Sequence, residues 1–151
     1  MFRIQYREGA IDMRAKTVCL IIVSLLLISG LANGNPPASP SRLCVVWTSA
    51  DPDVAKNVCF MYTLNAKKRG WFDEVHLIVW GPSAKLLAED QTIQAEVKAM
   101  QEVGVVTEAC VACTRRYGVE DNLRELGINV KGMGTPLTER LKGDDWKVLT
   151  F

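Results

Sequence analysis

The chain has 151 residues, 48% of them hydrophobic and 23% charged, with a formal net charge of +1. That composition excludes a chain too charged to bury a core. No cluster of basic residues marks a nucleic-acid surface.

Residues 18–28 read Val-Cys-Leu-Ile-Ile-Val-Ser-Leu-Leu-Leu-Ile, after Arg14 and Lys16 and before the small residues Ser29, Gly30, Ala32 and Gly34. This basic, apolar, small order predicts a cleaved secretory signal peptide over 1–34, cut after Ala32 or Gly34. The apolar run is shorter than the ~20 residues of a spanning helix; an N-terminal membrane anchor is the alternative. Met13 opens a more ordinary signal than Met1, so 1–12 reads as a misassigned start. Pro36, Pro37 and Pro40 make 35–42 a linker, with one domain over 43–151. The expected location is secreted or periplasmic. Without the signal, Lys plus Arg falls from 18 to 14 and Asp plus Glu from 17 to 15, near −1. Cys44, Cys59, Cys110 and Cys113 then remain, in an oxidising compartment.

Leu43 to Trp47 is an apolar run suited to a strand buried on both faces. Asp53 is the expected N-cap of a helix whose core-facing stripe would be Val54, Val58, Met61, Tyr62 and Asn65. Lys67, Lys68 and Arg69 suit its last turn, and Gly70 its end. Val75 to Trp80 is a second strand. Helical stretches follow at Ala84–Glu89 and Gln91–Glu102, with Ile93, Val97 and Met100 or Gln101 inward. Val105 to Ala109 is the third strand. Val119 to Leu126 is helical, Ile128 to Val130 is a fourth strand, Leu137 to Leu141 a short helix, and Trp146 to Phe151 a last strand. This alternation predicts an α/β fold, three layers α/β/α, with a mainly parallel sheet of about five strands. Right-handed crossovers would put helices on both faces. The strand-to-helix loops Thr48–Asp53, Gly81–Ser83, Cys110–Cys113 and Gly132–Thr135 would meet at one edge, where ligands bind in such sheets.

Cys110 and Cys113 therefore carry the most information. They stand where a strand end passes into a helix start, and partial charge there favours a thiolate. Arg115 and Arg116 follow at once. A thiolate so placed can attack sulfur, carry sulfur or close a disulfide. His76, the single histidine, lies mid-strand and reads as structural. Cys44 and Cys59 read as small buried hydrophobes, and the tryptophans as packing groups.

Val45-Val46-Trp47-Thr48-Ser49-Ala50-Asp51-Pro52, together with Gly104-Val105-Val106-Thr107-Glu108-Ala109-Cys110 before Arg115-Arg116-Tyr117-Gly118-Val119, resembles the DsrE/DsrF-like sulfur-relay family over residues 43–151. The resemblance implies that Cys110 accepts sulfane sulfur as a persulfide and passes it on. It also implies sulfur-donor and sulfur-acceptor partners (proteins or small sulfane compounds), a homo- or hetero-oligomer, and no cofactor. Ser49, Asp51, Arg115 and Arg116 are the candidate binding residues beside Cys110 and Cys113. The chain departs from the family in its second thiol, Cys113, and in its signal sequence. A thiol–disulfide oxidoreductase is the chief rival, although Pro136, the only proline after the pair, reads as a helix start rather than an opposing cis-proline. A non-catalytic oligomeric binding module is a third class. One Cys-x-x-Cys supplies too few ligands for zinc, and Thr114 stands where haem attachment needs His, so no metal is expected.

Overall fold

The computed structural model describes residues 41–151; the predicted signal peptide and linker residues 35–40 lie outside the described residues. The strands are β1 (Arg42–Trp47), β2 (Glu74–Val79), β3 (Val106–Cys110), β4 (Asn129–Lys131) and β5 (Trp146–Thr150). They form one five-stranded sheet in the order β4-β3-β2-β1-β5, and every pairing is parallel. The helices are α1 (Pro52–Val54), α2 (Met61–Lys68), α3 (Ser83–Glu89), α4 (Gln91–Glu102), α5 (Val111–Tyr117), α6 (Glu120–Glu125) and α7 (Gly134–Lys142), with a π-helix, Ala55–Phe60, joining α1 to α2. The three-layer α/β/α architecture is the one expected. β1 begins one residue early, because Asp73 Oδ2 accepts from the Ser41 N–H at 2.8 Å and holds the chain there.

The layers are unequal. β1 to β4 advance in one direction across the sheet, so right-handed crossovers place α1 to α6 on one face. Only the return from β4 to β5 crosses the other face, and it carries α7. The first face buries Leu43, Val45, Trp47, Leu77 and Val79 against Phe60, Leu87, Ile93, Val97 and Leu123. The second packs Cys44, Val46, Ile78 and Cys110 against Met133 and Leu137. No residue of α7 is fully buried. Among the described residues no helix is long and apolar enough to cross a membrane.

The first helical segment departs from its predicted pattern. Asp51, not Asp53, is the N-cap: its Oδ1 accepts from the backbone N–H of Asp53 at 2.8 Å and of Val54 at 3.2 Å. The π-helix then changes the residues per turn, and the buried set becomes Ala55, Cys59, Phe60, Thr63 and Ala66. Most of these are small, which lets the helix approach the sheet closely. Val58 and Met61, expected in the core, are 42% and 56% exposed. A 3.6-residue period cannot foresee a wider turn. The last helix also starts earlier than Leu137, with Pro136 in its first turn.

Candidate functional site

Cys110 is the last residue of β3 and the N-cap position of α5, so Cys113 stands one helical turn further on. Gly118 ends that helix in the left-handed conformation (φ 70°), which glycine adopts without a side-chain clash. The loop after β2 meets this turn. Gly81 also has positive φ (70°), and it lines the same cleft as Cys113. Ser83 fixes the loop: its Oγ donates to the Trp47 carbonyl at 2.7 Å and accepts from the Trp80 N–H at 3.1 Å. The carboxyl ends of β1 and β2 are thereby joined.

A cleft of about 310 Å³ results, with Trp80, Gly81 and Pro82 on one side and Cys110, Cys113, Arg116 and Tyr117 on the other. Both cysteines are free thiols, and both line the cleft. Cys110 is 6% exposed, whereas Cys113 is half-buried, so solvent meets Cys113 first. Burial pushes the Cys113 thiol above its ordinary value; the Gly81 N–H opposes this, and the Cys110 thiol adds to it.

The remaining candidates divide. Arg116 lines the cleft. Arg115 does not; its Nε donates to Glu120 Oε2 at 2.8 Å on the surface. Asp51 is occupied as a helix cap, and the Ser49 hydroxyl accepts from the Asp51 N–H at 3.1 Å; neither lines the cleft. Cys44 and Cys59 are fully buried. Burial pushes the Cys44 thiol up, and carries Cys59 up to about 12. Trp47 packs edge-on against Phe60 at 4.8 Å between centroids, as a core residue. No group of His, Cys, Asp and Glu among the described residues could hold a metal ion.

A second polar assembly lies on the α7 face of the sheet. Glu108, two residues before Cys110 on the same face, is buried, its side chain 3% exposed. Lys131 Nζ reaches its Oε1 at 2.7 Å, and Arg140 Nη2 its Oε2 at 2.7 Å. The His76 ring bridges two carboxylates, with Nδ1 3.0 Å from Glu108 Oε2 and Nε2 2.6 Å from Glu74 Oε1. Arg140 also lies over the Trp146 ring at 4.7 Å and donates to Cys44 Sγ at 3.6 Å. Burial acts to raise the Glu108 pKa, but hydrogen bonds from His76, Lys131 and Arg140 outweigh it and pull the carboxyl down to about 2. His76 is the satisfied mid-strand residue that its position predicted. Sequence reading missed Glu108, Lys131 and Arg140. The available signal was an acidic residue inside an apolar strand, which has to find cations when buried.

No protein-family model and no curated protein matches the chain. Among solved structures, a conserved protein of unknown function from Bacteroides thetaiotaomicron is 40% identical, covering 74% of this chain and 95% of its own, with a TM-score of 0.70. The chain belongs to the same family as that protein. Its family therefore has this fold, and what the site does rests on the chemistry of the residues above.

Proposed function

We propose that the protein is a sulfur carrier of the relay type, with Cys110 as the persulfide-bearing residue and Cys113 as a resolving thiol. The observation that carries this reading is the presence of two free thiols, Cys110 and Cys113, in one cleft at the carboxyl edge of the sheet. The Cys110 thiolate attacks the outer sulfur of a sulfane donor R–S–SH. The new S–S bond forms on Cys110, the donor's S–S bond breaks, and R–S⁻ leaves. Passage of that sulfur to an acceptor thiolate reverses the same chemistry. Alternatively, Cys113 attacks the inner sulfur of the persulfide, expels hydrosulfide and closes a Cys110–Cys113 disulfide, which a dithiol reductant must then reopen. The raised pKa of Cys113 keeps it mostly protonated near neutrality and slows this second route.

The same pair of thiols suits a thiol–disulfide oxidoreductase, and one assay separates the two. The reduced protein is treated with inorganic polysulfide and its cyanide-labile sulfur is measured. Cys113→Ser should hold more bound sulfur than the parent, and Cys110→Ser almost none. If none of the three proteins binds sulfur while the parent cycles between dithiol and disulfide with a dithiol partner, the oxidoreductase reading replaces this one.

A further inference from the structure

Cys110 has a neighbour across the sheet that no cysteine motif indicates. In the parallel β3–β4 register its lateral partner is Lys131. Side chains at paired positions of adjacent strands emerge on the same face. Lys131 is 40% exposed, at the end of an edge strand, and its ammonium is fastened to Glu108 at 2.7 Å. Glu108 is not Lys131's alone. One carboxylate is shared by two permanent cations, since Arg140 occupies its other oxygen at 2.7 Å. In direct contact with Glu108 the two cations thus outnumber the one carboxylate, while further off Glu74 and Asp145 are both met by Arg42. The other charged group beside the cleft is Arg116, on α5. β2 offers Ile78 and Trp80 there, and α7 offers Met133 and Leu137, all uncharged.

We infer that Lys131, anchored by Glu108, is a positioning residue that sets a fixed positive charge beside the Cys110 sulfur, drawing in anionic reactants and holding the anionic persulfide. Anchoring matters because a free lysine side chain spreads its charge over many rotamers. A buried carboxylate confines it to one region near the thiol. Together with Arg116, it places positive charge on two sides of Cys110. On the relay reading, the favoured sulfur donor is a small anion.

Charge-selective alkylation tests this without any sulfur chemistry. In a Cys113→Ser background the rate of Cys110 modification is measured with anionic iodoacetate and with neutral iodoacetamide; Cys44 and Cys59 are fully buried and stay silent while the protein is folded. Lys131→Met should lower the iodoacetate-to-iodoacetamide rate ratio roughly threefold at low salt, and Lys131→Arg should retain the parent ratio. A loss of local structure would expose Cys110 and speed both reagents together, leaving the ratio alone. A ratio unchanged in Lys131→Met, or lost equally in Lys131→Arg, overturns the inference. Polysulfide loading of the same samples keeps the two proposals apart. If the parent binds no sulfane sulfur but the ratio shifts, the relay reading falls and the role of Lys131 stands.

Discussion

The sheet face that carries Leu43, Val45, Leu77 and Val79 is roofed by α1 to α6, and it buries hydrocarbon with a few hydroxyls such as Thr63 and Thr107 but no charge. The face that carries Cys44, His76, Glu108 and Cys110 has α7 alone, and a charged network lies within it. The same strands supply both faces, one residue out of phase. Where helices are plentiful, burial of hydrocarbon suffices. Where one short helix crosses, the burial is thinner, and Arg140 joins α7 to the sheet through Glu108 and Trp146. A buried ion pair is a weak source of net stability but a strict geometric constraint. The apolar face thus stabilises the domain, and the charged face sets positions around Cys110.

The comparison is sharpest under substitution. Leu77→Ala, on the roofed face, should cost about 3–4 kcal/mol in urea unfolding, since a fully buried leucine leaves a cavity. A cost below about 1 kcal/mol would mean that this face is not the main store of stability. Glu108→Gln should cost about 2 kcal/mol at pH 7, because two cations lose the carboxylate they share. Its pH dependence has a definite sign. The folded carboxyl is held down to about 2, below its ordinary 4.5, so its contribution is fully present above pH 4.5 and is lost as pH falls towards 2. The parent should destabilise across that window more steeply than Glu108→Gln; parallel curves would remove the carboxylate from the explanation. Val58→Ser should change stability by less than about 0.5 kcal/mol, since Val58 is 42% exposed. A large loss there would restore the helical stripe that the sequence suggests.

Much of this was legible in the chain. Runs of β-branched residues separated by helical periods disclose a parallel sheet, and Cys110 falls at the strand end where the alternation places it. Gly81 and Cys113 line one cleft from 32 positions apart, which leaves no local pattern. Asp51 and Ser49 carried polar groups in a loop of the right edge, but short-range hydrogen bonding to Val54, Asp53 and Asp51 itself accounts for both. The π-helix was invisible because periodicity arguments assume one pitch throughout. The ion network was hidden for a different reason: Glu108, Lys131 and Arg140 meet through strand order, which local sequence does not encode.

Strand order also sets the course of folding. β1 pairs with β2 across about thirty residues, and β2 with β3 likewise, so the roofed face can assemble from successive neighbours. β5 joins β1 from much further along the chain; the Thr48 hydroxyl donates to the Phe151 carbonyl at 2.7 Å across a separation of 103 residues. Closing so long a loop carries a greater entropic cost and comes late. During synthesis, Cys110 emerges before α7 and β5, which complete the face on which it lies. The thiol therefore exists first on an open sheet, and its charged surroundings are finished only when the final strand docks.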